Sequence, residues 1–250
     1  MAQPDHQESF APVEQALERL RSPTTVHGRL GVLKQLVDFW HGPIQPEDGI
    51  SEAELAELPP LPLPLRWWYR WAGRRADVMS GQNFLFEPRR DEDLGYRQLT
   101  IENGHLRFYI ENQGVYEWST LPQGDDPPVF GRDACRGPWE RENITLSEHL
   151  ILVCLFEAMM SSYARYGAWT DWLDEQRLAE IATFMPPVAI GAWRWMGTRF
   201  FVGSGAVMSV AEGFEYNGRN GYPASIGAKT DQQLQFLRPH LGDDWNYIAA

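Results

Sequence analysis

The chain has 250 residues, enough for one large domain or two small ones with a sizeable core. Hydrophobic residues at 43% and charged residues at 22% exclude wholesale disorder. A formal charge of −12, from 22 basic and 34 acidic residues, argues against a phosphate-binding surface and hence against nucleic acid as partner. It suits a basic partner, or simply keeps the chain soluble.

The first ten residues are polar and read as disordered. Val13, Ala16, Leu17 and Leu20 then fall at helical spacing, as do Leu30, Leu33, Val37 and Trp40, with His41-Gly42-Pro43 as a stop. Ser51 with Glu54 is a capping box for a short helix bearing Leu55 and Leu58. The Pro/Leu alternation of residues 59–64 reads as an extended connection packed on the core. Pro64 suits the first turn of a helix over 65–72 that carries Trp67, Trp68 and Trp71. From there the period becomes two. Phe84 and Phe86 suggest a strand, and Leu106, Phe108 and Ile110 alternate with Arg107, Tyr109 and Glu111. Residues 111–114 turn the chain into a second hairpin arm over 115–119. Residues 125–130 read as a loop and a short edge segment, since proline does not suit a central strand.

Thr145 with Glu148 caps a helix to about Tyr166, ended by Gly167. Its run 150–156 is apolar all round, so it must be covered on several sides. Residues 174–184 read as helix, and 199–202 with 206–211 as a hairpin. A strand over 222–227 and a closing helix capped by Thr230 and Gln233 follow. The order predicts an α+β fold, an antiparallel sheet of hairpins flanked by helices, with a C-terminal α/β extension. The expected division is 11–165 for the main domain and 166–250 for the extension, packed on the same body.

Templates for catalysis are missing from the sequence. It has no GxGxxG, GxxxxGK[ST] or HExxH, and Val202-Gly203-Ser204-Gly205 lacks the first glycine of a serine elbow. His105, between Glu102 and Glu111, reads as a surface histidine in a polar turn. His149, in the first turn of its helix, is expected to be solvated or hydrogen-bonded. No two histidines have ligand spacing, so neither metal nor cofactor is expected. Asp125-Asp126 and Glu111 with Glu117 are paired carboxylates; Asp125, Asp126 or Glu111 with His105 define a minor hydrolase reading. Trp67, Trp68 and Trp71, on one short helix, cannot all face inward. Cys154 belongs to the core, and Cys135 is flanked by basic residues. The start of the chain carries no recognisable signal and the longest apolar run is far short of a membrane span, so a cytoplasmic protein is expected.

Residues 111–118, Glu-Asn-Gln-Gly-Val-Tyr-Glu-Trp, followed by Asp126-Pro127-Pro128-Val129-Phe130, resemble the SUKH superfamily, the Smi1/Knr4-type domain. The Leu58-Pro59 and Leu63-Pro64 steps, the aromatic helix with Trp67-Trp68-Tyr69, and Leu146-Ser147-Glu148-His149-Leu150 follow the same order, over residues 30–165. The family's Asn-Gly step after the aromatic helix has no clean match in 72–75 or 80–83, and about 85 residues follow the usual closing helix. The resemblance implies a non-enzymatic binding domain. Many members resemble bacterial immunity proteins that occlude a toxin domain, often a nuclease; others are regulatory scaffolds. It places partner contacts at Glu111, Asn112, Gln113, Tyr116 and Trp118 and in the loop of Asp125 and Asp126. Asn112 and Gly114 could equally serve only the turn, and Trp118 only the sheet.

Overall fold

Local signals set most of the N-terminal helices in the computed structural model, which describes residues 10–22, 24–87, 98–133, 137–216, 219–242 and 244–248. Residues 1–9 and Cys135, both assigned above from sequence, lie outside the described residues. Helix α1 (Ala11–Glu18) has Pro12 in its first turn and buries Val13 and Ala16. In α2 (Val26–His41) the Thr25 hydroxyl accepts from the Gly28 N–H at 3.2 Å, and Gly42 ends the helix at φ +79°. The predicted capping box forms around α3 (Glu52–Ala56), with Ser51 and Glu54 reciprocally bonded. Helix α4 (Leu63–Ala72) buries Leu65, Trp68 and Tyr69. Trp67 and Trp71 remain half-buried with ring centroids 4.8 Å apart, so the three tryptophans divide between core and flank. The short α5 (Ala76–Met79) follows.

The first sheet is antiparallel, in the order β1 (Phe84–Leu85), β3 (His105–Ile110), β4 (Tyr116–Thr120), β5 (Pro128–Asp133), β6 (Glu140–Thr145), with β2 (Thr100–Glu102) also paired to β3. Two expectations change here. Strand β5 is interior, between β4 and β6, and Pro128 is tolerated because it is the first residue of the strand. Strand β6 was not foreseen, because its sequence Glu-Arg-Glu-Asn-Ile-Thr is mostly charged, as suits an edge.

Helix α6 (Leu146–Tyr166) buries every residue from His149 through Met159, including Leu152, Val153, Cys154 and Phe156. Each large aliphatic or aromatic side chain so buried contributes ~1.5–3 kcal/mol. Gly167 ends the helix as predicted, but the chain passes straight into β7 (Gly167–Asp174), a strand missing from the sequence reading. Then come α7 (Glu175–Ala182), β8 (Arg199–Gly203), β9 (Ala206–Val210), β10 (Phe214–Tyr216), β11 (Arg219–Ala228), α8 (Asp231–Leu241) and β12 (Asn246–Tyr247). The second sheet, also antiparallel, runs β12-β7-β11-β9-β8, with β10 beside β11.

The fold is α+β, with helices flanking two antiparallel sheets. Helix α6 lies between them. On one side His149 meets the rings of Phe108 and Trp118; on the other, Gly227 of β11 approaches the Met159 carbonyl closely enough that no side chain would fit. Strand alternation divides β8 and β9: Phe200, Val202 and Val207 join the core around α6, while Phe201 and Met208 join Leu178, Ile181, Leu234 and Leu237 of α7 and α8. No helix among the described residues is long and apolar enough to cross a membrane.

Candidate functional site

The β3–β4 turn is held from inside. The Glu111 carboxylate accepts from the Gln113 N–H at 2.8 Å and from the Val115 N–H at 3.3 Å, and Gly114 takes φ +72°. The Asn112 N–H donates to Asn83 Oδ1 at 3.2 Å. Residues 82 and 83 in turn donate their backbone N–H groups to the Glu157 carboxylate, which also accepts from the Tyr109 hydroxyl at 2.9 Å. Burial pushes the Glu157 carboxyl upward, opposed by these bonds. Residues 82 and 83 thus tie the turn to α6.

Strand β4 presents two chemically different faces. Glu117, fully buried, is clamped between Arg107 and Arg132; Arg132 also reaches Glu102 at 3.1 Å and lies 4.0 Å above the Trp139 ring. His105 is half-buried beside this network, stacked on Trp139 at 5.5 Å, with Nδ1 3.2 Å from the Ser119 hydroxyl. Its desolvation, then Arg132, lowers its pKa. On the other face Trp118 stacks on Trp193 at 5.0 Å, and both surround His149. His149 is fully buried with neither ring nitrogen hydrogen-bonded, contrary to the solvated or bonded side chain expected. Packing against the sheet overrides its position near the helix start. Burial depresses it to about 3, so it is neutral.

The turn end of this sheet opens into a surface pocket of about 300 Å³. Tyr116, Asp133 and Glu140 come from β4, β5 and β6; Arg194, Trp195 and Met196 come from a loop of the C-terminal region. Two backbone hydrogen bonds between Trp193 and Thr198, 2.8 and 2.9 Å, close that loop. Within it Met196 is held at φ +58°, and the residue is 60% exposed. A left-handed backbone is uncommon for a bulky L-residue and costs of order 1–3 kcal/mol. Glu140 pairs with Arg194 at the pocket. Two residues along β6, where the pairing with β5 shifts register, stands Glu142, only 3% exposed. The Trp118 indole N–H and the Arg194 backbone N–H face its carboxylate and oppose its shift, yet neither closes to hydrogen-bond geometry, and both oxygens lack a partner. Desolvation raises its pKa to about 7.

The seven residues expected to contact a partner do not form one patch. Asn112 and Gln113 reach solvent in the turn, and Tyr116 lines the pocket from a mostly buried position. Glu111 and Trp118 are buried behind them. Asp125 and Asp126 lie at the opposite end of β4, ~17 Å away along a five-residue strand. Asp125 is exposed. Asp126 pairs with Arg29 at 2.6 Å and accepts from the Ser147 N–H and hydroxyl at 2.8 and 2.7 Å, anchoring the start of α6. Sequence reasoning missed Glu142, Arg194 and Met196. Their one local signal was the Trp193-Arg194-Trp195 alternation; their meeting depends on elements far apart in the chain. Among the described residues no group of three or more His, Cys, Asp or Glu side chains could hold a metal ion. Comparisons of the chain with protein-family models, with curated proteins and with solved structures each find no match.

Proposed function

We propose that the protein is a non-enzymatic, cytosolic protein-binding domain of SUKH type, an immunity protein that occludes a basic, nuclease-type toxin domain. The observation that carries this reading is Met196, exposed and strained at the lip of an aromatic and charged pocket. Backbone strain at an exposed apolar residue contributes nothing to the core, and strain of this kind collects at sites used for recognition. An apolar anchor ringed by charges of both signs suits a protein surface, where a few buried anchors carry most of the binding energy. Asn112 and Gln113 of the neighbouring turn extend the surface. Asp125, at the far end of the sheet, and the net charge of −12 steer a basic partner toward it.

The test uses the full chain as bait in lysate of the source cell at low and moderate salt, with Met196→Asn in parallel. Asparagine tolerates the left-handed region, so this variant keeps the loop and removes the anchor. The expected result is one dominant basic protein, weakened at moderate salt and depleted with the variant, whose nuclease activity is abolished by one equivalent of the chain. Capture that is equal with the variant, or a captured protein whose activity the chain leaves unchanged, refutes the proposal. Recovery of signalling proteins without nuclease activity would favour a regulatory scaffold on the same fold.

A further inference from the structure

We infer that the pocket beneath Met196 receives an arginine side chain of the protein partner, with Asp133 and Glu142 as its counter-charges; this rests on the protein-binding function proposed above. Charge accounting within the pocket leads there. Arg132 is already neutralised by Glu117 and Glu102, and Arg194 by Glu140. Asp133 is exposed at the pocket wall and pairs with no cation among the described residues. Glu142 stands behind this lining, close enough to act electrostatically on the Tyr116 hydroxyl, and is more than nine-tenths buried with both oxygens unpartnered. A buried carboxylate without a partner is costly when ionised, and an arriving cation relieves that cost.

The walls select the kind of cation. Tyr116 and Trp195 supply aromatic surface, on which a planar guanidinium stacks better than a compact, strongly hydrated ammonium. The guanidinium fork also offers enough N–H donors to serve two carboxylates at once. The Arg194–Glu140 pair at the mouth is about half exposed on both sides, so its side chains rearrange at little cost.

The test is run on the isolated full chain, without the partner. The probe is acetyl-Gly-Arg-Gly-amide, with the Lys and Gln analogues as controls, and the readout is the indole N–H resonances of Trp118 and Trp195 by NMR. The arginine peptide should shift both resonances saturably at millimolar concentration, and the glutamine peptide should not. Asp133→Asn, at an exposed position that leaves folding intact, and Glu142→Gln should each weaken the arginine peptide ~10-fold or more. No saturable shift, an equal response to the lysine peptide, or an unchanged affinity in Asp133→Asn overturns the inference. The two proposals fail separately. A silent pocket with successful, Met196-dependent capture sinks only the arginine site; arginine binding without an inhibited partner sinks only the immunity function.

Discussion

Replacing Glu142 by glutamine isolates the energetic consequence of an unpartnered carboxyl inside the protein. In the folded chain its pKa lies at about 7, against 4.5 when unfolded, because burial penalises the ionised form. A raised carboxyl binds its proton more tightly in the folded state, so its contribution is fully present below pH 4.5 and is lost as pH rises through 7. At ~1.4 kcal/mol per unit the whole shift is worth ~3 kcal/mol, of which ~2.5 kcal/mol falls between pH 5 and pH 8. His149 acts in the opposite sense. Its folded pKa of about 3 makes its contribution present above 6.5 and lost as pH falls toward 3. Because the two windows overlap, and Glu157 adds a slope of the same sign as Glu142, the wild-type profile alone cannot separate them. The informative quantity is therefore the difference between wild type and Glu142→Gln, measured by urea unfolding with tryptophan fluorescence at pH 5 and pH 8. The variant should gain ~2–3 kcal/mol relative to wild type on going from pH 5 to pH 8. A difference that is the same at both pH values would refute the reasoning.

Four further outcomes follow from the same contacts. Asp126→Asn should destabilise by ~2–4 kcal/mol in urea unfolding, because it weakens a partly buried ion pair with Arg29 and the anchor of Ser147, whereas Asp125→Ala should change stability by less than ~0.5 kcal/mol. Glu117→Gln leaves Arg107 and Arg132 facing a neutral amide and should cost ~3–5 kcal/mol by the same assay. Tyr109→Phe removes one hydrogen bond to the buried Glu157 carboxylate and should cost ~1.5–3 kcal/mol. Met196→Asn should leave stability unchanged or raise it by ~0.5–1 kcal/mol, since asparagine accepts the left-handed backbone more readily.

The signals that survive from sequence to structure are those decided within a few residues. The capping boxes at Ser51–Glu54, Thr145–Glu148 and Thr230–Gln233 all form, because each satisfies the first N–H groups of its own helix. The alternation of Leu106, Phe108 and Ile110 becomes β3 with its apolar side buried. What failed depends on distant neighbours. The charged β6 becomes a strand through its pairing with β5, and β7 through its pairing with β11 and β12. His149 sits at a solvated-looking helix start, yet Trp118 and Trp193 close over it from two different regions of the chain. The pocket is the extreme case. Tyr116 belonged to the expected contact set, but Arg194 and Met196, which line the pocket with it, and Glu142 behind it carry no motif and meet only when the C-terminal region folds onto the first sheet. The two halves of the expected set, at 111–118 and 125–126, looked close in sequence; a single strand separates them.

The most direct test of the account is calorimetric titration of the captured partner against wild type, Met196→Asn and Asp125→Ala. Met196→Asn should weaken binding by ~30-fold, as loss of an interface anchor does, while Asp125→Ala, which acts only through steering, should change it by less than ~3-fold. The reverse order, with Asp125 dominant and Met196 silent, would contradict it and move the binding surface to the other end of the sheet.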